Sequence, residues 1–157
     1  MTSGRSLALD SQLLLLYVVG ATSRDYIEKH KRLKAYSVAD FDLLLALLGQ
    51  CAVLLLTPNT LSETSNFVDH IAEPARGRIY AVFRAMLAQP EFEERYEPSR
   101  QVARQDELPR LGLTDCTLLS LCVEQRTPLL TADLQLYLAA LRRGGEVVNF
   151  NHLRDLT

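Results

Sequence analysis

The sequence is short of the residues and patterns that most often announce a site. Its three cysteines, Cys51, Cys116 and Cys122, form no CxxC pair, which argues against a disulfide framework and a cysteine zinc site. That usage points to a reducing, cytoplasmic setting. The three histidines, His30, His70 and His152, lie far apart in the chain. Long apolar runs are also lacking. Leu13 to Val19 is far short of the roughly 20 residues a membrane span needs, and no small-residue cleavage site follows it, so neither a membrane anchor nor a signal peptide is expected. There is no GxGxxG, GxxxxGK[ST], HExxH or GxSxG pattern. Charge of one sign is missing too: 17 Lys and Arg face 19 Asp and Glu, for a net charge of −2. A strongly basic nucleic-acid binder is therefore not indicated by the average.

What remains is an ordinary globular composition. With 157 residues, 48% hydrophobic and 23% charged, the chain suits one domain with a real core, spanning 1–157. No repeat, low-complexity segment or linker divides it. Leu7-Ala8-Leu9 reads as a buried strand, followed by an apolar helix over Ser11–Val19. Asp40–Leu48 reads as a capping acid and an apolar helix. Ala52–Leu56 is a second strand, and Thr57-Pro58 opens a helix to about His70, with Pro where its missing N–H costs nothing. A helix is predicted over Arg76–Ala88. Gln89–Pro109, broken by Pro90, Pro98 and Pro109, reads as a loop with a short helix. A helix over Thr114–Glu124, a strand at Pro128–Thr131, a helix over Leu134–Arg143 and a strand at Glu146–Phe150 complete the chain. Short apolar strands alternating with helices imply an α/β fold with a central parallel sheet of four to five short strands, covered by helices on both faces.

Four of the acids fall where these elements meet. Asp10 ends the first strand, Glu63 lies in the second turn of the helix after the second, Asp115 opens an apolar helix, and Asp133 follows the third strand. In an open α/β sheet the carboxyl ends of the strands line the ligand crevice. Each acid also has a plain role open to it: Asp10, Asp115 and Asp133 as helix N-caps, and Glu63 in a capping box with Thr60. Four carboxylates brought together would repel one another unless a cation neutralised them. Such a set suits hard ions, Mg2+ or Mn2+, one or two of them. Ser11, Asn66, Thr114 and Thr131 sit beside these acids and could orient carboxylates or water. Cys116 is read as a small core residue.

The order of these motifs resembles the PIN-domain family, which includes the VapC-like toxins of bacterial toxin–antitoxin pairs. The resemblance runs from about Leu7 to Phe150. It lies in a strand ending in Asp10, a Pro-led helix carrying Glu63, Leu111-Gly112-Leu113-Thr114-Asp115, Leu129-Leu130-Thr131-Ala132-Asp133, and Val147-Val148-Asn149-Phe150. It implies a Rossmann-like metal-dependent ribonuclease, with Asp10, Glu63, Asp115 and Asp133 as its acidic set. It also implies an RNA substrate, a cognate antitoxin protein and a homodimer. Two readings compete: an idle module of the same fold that binds RNA or protein, and an α/β phosphohydrolase acting on small phosphates. The latter would usually carry Asp-x-Asp after the first strand, where this chain has Asp10-Ser11-Gln12.

All three lysines, Lys29, Lys31 and Lys34, fall in one segment with Arg24 and Arg32, against only Asp25 and Glu28. This cluster is a candidate phosphate contact, with Tyr26 and Tyr36 placed to stack on bases. A solvated helix face is the plain alternative. With the four acids set aside, 17 cations face 15 remaining acids. The net charge then reads as an acidic pocket in a mildly basic surface.

Overall fold

In the computed structural model, which describes residues 5–157, the short apolar runs become strands and the segments between them mostly helices. The chain runs β1 (Ser6–Leu9), α1 (Ser11–Thr22), two 3₁₀ turns at Arg24–Tyr26 and Lys31–Leu33, α2 (Val38–Leu48), β2 (Val53–Leu56), α3 (Pro58–Asp69) and α4 (Ala75–Leu87). It continues through β3 (Phe92–Glu94), α5 (Ser99–Val102), α6 (Leu108–Val123), β4 (Leu129–Thr131), α7 (Leu134–Arg142), β5 (Val147–Asn149) and α8 (Phe150–Arg154). All strand pairs are parallel, in the order β3-β2-β1-β4-β5. The expected α/β architecture is therefore present. Among the described residues no helix is long and apolar enough to cross a membrane.

Strand periodicity divides the core into two layers, because successive side chains leave a sheet on opposite faces. Leu7, Leu9, Leu54, Leu56 and Leu130 join the layer packed by α1 to α4. Ala8, Leu55 and Leu129 join Leu118, Leu119, Leu136 and Ala140 of α6 and α7 on the other face. Helix α1 is apolar all round because other elements cover it: Leu13 to Leu16, Val18 and Val19 are fully buried, and α2, α3 and α4 all pack on it.

Three local details differ from the sequence reading. Gln89–Pro109 holds a strand as well as a short helix. β3 lies at the sheet edge with Phe92 half-buried and Glu93 and Glu94 exposed, so it lacks the apolar run by which a central strand is recognised. Asp40 is not the cap of α2. Ser37 is, and Asp40 closes the capping box three residues on. The last strand stops at Asn149, whose side chain caps α8 from Phe150 onward.

Gly20 on α1 faces the Phe41 side chain of α2. A methyl group at its Cα would overlap the ring of Phe41 on α2, and Phe41 is itself 2% exposed with Arg24 stacked against it. Gly20→Ala is therefore expected to destabilise the protein by about 1–3 kcal/mol through overpacking. Urea unfolding should show a lower midpoint at unchanged slope. An unchanged midpoint would mean that Phe41 yields freely.

Candidate metal centre

The strand order reverses between β1 and β4, where the chain crosses from one half of the sheet to the other. Open parallel sheets bind ligands at such a switch point, beyond the carboxyl ends of the strands. Asp10 and Asp133 stand there, one after each of these two strands.

Asp10 is both cap and floor. Its Oδ1 accepts the Leu13 N–H at 2.9 Å, capping α1. Its Oδ2 accepts the Thr131 hydroxyl at 2.6 Å and the Ala132 N–H at 2.8 Å. The Asp133 N–H donates to that same Thr131 hydroxyl at 3.0 Å, and Asp133 Oδ1 caps α7 through the Leu136 N–H at 2.9 Å. Both capping roles are thus real, and both acids also line the cavity described below. Glu63 does not form a capping box, because Thr57 caps α3 and bonds Thr60. Glu63 instead accepts a hydrogen bond from the Ser11 hydroxyl. Asp115 is not a cap. It lies one turn past Gly112, whose backbone at φ 82° breaks the helical path of α6. That region suits glycine above other residues, and the kink re-aims the rest of α6.

Asp10, Glu63, Asp115 and Asp133 all line one cavity of about 180 Å³, together with Ser11 and Arg32. Four separate elements thus deliver the four acids named from sequence to a single place. Burial first, and then the charges of Asp133, Asp10 and Glu63, push the Asp115 carboxyl up to about 7. Burial also raises Asp10, against the lowering effect of its three donors. Among the described residues, no three His, Cys, Asp or Glu side chains are arranged to hold one metal ion as they stand. The donor set itself is all carboxylate and hydroxyl oxygen, which suits Mg2+ or Mn2+ and not a soft metal.

The supporting polar residues divide. Ser11 and Thr131 bind the acids directly. Asn66 and Thr114 do not line the acidic cavity; they line a neighbouring depression with Glu63, Tyr96 and Ser99. Cys116 is buried and its thiol is pushed up by burial, as fits a packing residue rather than a nucleophile.

The basic segment does not form one face. It folds as 3₁₀ turns, not as a helix. Arg24 is committed to Asp42 at 2.8 Å. Lys29 and Lys31 line a separate, mainly apolar cavity with Ile71 and Ile79, and Lys34 is exposed. Tyr36 is 7% exposed and packs against Phe150 and Arg154, so it is not free to stack on a base. The Tyr26 hydroxyl accepts from Arg78. Only Arg32 reaches the acidic cavity. Gln12 also lines it, a residue that sequence reasoning passed over; its amide donates to the Arg32 carbonyl at 2.6 Å. No protein-family model and no curated protein sequence matches this chain.

The raised Asp115 carboxyl has a consequence for stability. Its folded value of about 7 lies above the ordinary 3.8, so the folded state binds the proton more tightly between those values. Stability of the ion-free protein should therefore fall as pH rises from about 4 to about 7, and level off above. In EDTA, Asp115→Asn is expected to raise Tm by several degrees at pH 8 and to leave it nearly unchanged at pH 4. Thermal melts followed by circular dichroism at the two pH values check this.

Proposed function

We propose that this protein is a metal-dependent endoribonuclease that hydrolyses RNA phosphodiester bonds, and that it serves as the toxin of a toxin–antitoxin pair. The observation that supports the reading most is the delivery of Asp10, Glu63, Asp115 and Asp133 from four elements to one cavity at the sheet's switch point. The motif order that resembles the PIN-domain family runs through these same four residues. A cognate antitoxin protein, a homodimer and a cytoplasmic setting belong to the proposal through that resemblance.

On this reading Asp10, Asp115 and Asp133 hold Mg2+ or Mn2+, one or two ions. Glu63 is a further ligand or orients the attacking water. When bound, a divalent ion supplies Lewis acidity at the phosphate and a nucleophile at neutral pH. The chain's own residues fix the geometry. Thr131, Leu13 N–H and Ala132 N–H immobilise the Asp10 carboxylate, and Ser11 holds Glu63. Asp115, whose carboxyl burial and then its acidic neighbours push up to about 7, gives up its proton as cations enter, so ion binding is expected to weaken below pH 7. No Ser, Cys or His nucleophile is required.

Asp10 is a poor residue for a clean inactive variant. An amide there would turn an NH2 group toward two donors or lose the α1 cap, so Asp10→Asn is expected to lose stability as well as activity. Asp115 accepts no hydrogen bond among the described residues and is the better choice. The wild-type protein should cleave single-stranded RNA with Mg2+ or Mn2+ and stop on addition of EDTA. Asp115→Asn should cut at a rate at least about a hundredfold lower while folding normally. EDTA-resistant cleavage, or full activity of Asp115→Asn, would overturn the reading. RNA binding without cleavage by the wild-type protein would favour an idle module of the same fold.

A further inference from the structure

Arg32 is the one cation among the residues lining the acidic cavity. Its backbone is pinned from both sides. The His30 ring nitrogen accepts its N–H at 3.0 Å, and Gln12 donates to its carbonyl at 2.6 Å. Its guanidinium lies over the Phe67 ring at 4.0 Å from the centroid. Stacking of that kind restrains the plane of the group and leaves its N–H edges open. Among the described residues Arg32 makes no ion pair within 4.0 Å and donates no side-chain hydrogen bond. Arg24, Arg143 and Arg154 differ, each being paired with a carboxylate. An exposed arginine stacked on one ring beside four carboxylates, yet bonded to none of them, has its donors free for a ligand.

The space around it continues outward. A cleft of about 550 Å³ adjoins the acidic cavity and shares Gln12, Arg32 and Asp133 with it. Arg154 and Asn151 also line it. Arg32 therefore stands on the path between the acids and a second open space on the same edge of the sheet.

We propose that Arg32 is the residue that grips the RNA phosphate where the acidic cavity opens into this cleft, and that the cleft takes the neighbouring nucleotide. The proposal rests on the ribonuclease reading of the acidic cavity. A phosphodiester entering a pocket of carboxylates meets repulsion, and a guanidinium fork stacked on Phe67 offsets it while setting the phosphate's orientation through paired N–H donors. Lysine would supply the charge but not the fork.

Two measurements test this on the full chain. The first is fluorescence anisotropy of a labelled single-stranded RNA oligomer in EDTA, where nothing is cleaved, over a range of KCl concentrations. Arg32→Ala is expected to weaken binding about tenfold and to reduce the slope of log K against log salt by about 0.7, the value of one phosphate contact on a single strand. Lys34→Ala, outside both cavities, is expected to change affinity less than about twofold. The second is cleavage with Mg2+. There Arg32→Ala should lower kcat/KM about a hundredfold, and Arg32→Lys should restore the salt slope but only part of the rate. Thermal melts confirm folding, and Arg32→Gln replaces the alanine variant should that one melt early. If the wild type cleaves RNA and Arg32→Ala matches it in both readouts, or loses no more affinity than Lys34→Ala, the assignment of Arg32 is overturned and the ribonuclease reading stands. If the wild type does not cleave but RNA binding still depends on Arg32 with the expected salt slope, the ribonuclease reading fails and the phosphate contact stands.

Discussion

The carboxylate of Asp10 joins the two halves of this molecule. One oxygen starts α1 and the other binds Thr131 and Ala132 at the end of β4. The β1–β4 pair is the seam where the strand order reverses, and Thr131 extends the same network to Asp133. A side chain 3% exposed carries desolvation cost when charged. Three donors offset part of it, and what is left raises the proton affinity of the group. The seam and the acidic pocket are thus one construction. The fold holds the first acid firmly, and the others gather around it.

Burial and mutual repulsion of those acids are the cost of the arrangement. Both show at Asp115, the member without a hydrogen-bond donor of its own, whose carboxyl is lifted to about 7 by burial first and by its acidic neighbours second. Asp10, Asp133 and Glu63 each accept from at least one donor. Donors of this kind favour the charged form. Asp115, reached through the Gly112 kink, has no such support, while burial raises Asp10 in spite of its three donors. Natural sites often keep such local conflict where the chemistry is done.

Much of the frame was legible because a single residue separates strand from helix at Asp10. The Leu-Leu-Thr-Ala-Asp run marks the equivalent junction before Asp133. Glu63 followed from its place in the second turn of the Pro58-led helix, and Asp115 from its place at the opening of an apolar helix. What sequence did not disclose depended on distance along the chain or on exposure. Phe92-Glu93-Glu94 is a strand only because β2 offers its free edge. Tyr36 looks like a surface aromatic beside lysines, yet Phe150 and Arg154, more than a hundred residues away, bury it. Asn66 shares a helix face with Glu63 but reaches the outer depression, since three residues of helix advance the side chain as well as rotate it. Arg32 could be counted among the basic residues, but not singled out. Its position depends on Gln12, twenty residues earlier, and on Phe67 in another helix.

The same edge strand that escaped detection limits how the sheet can grow. β3 pairs with β2 on one side only, and two of its three residues are exposed glutamates. An incoming strand from a second molecule would have to bring its own backbone against this pair of charges and, in a like-with-like pairing, against two more. Charged, very short edges of this kind discourage open-ended strand addition. The polarity that hid β3 from a hydrophobicity reading thus guards one flank of the sheet against aggregation.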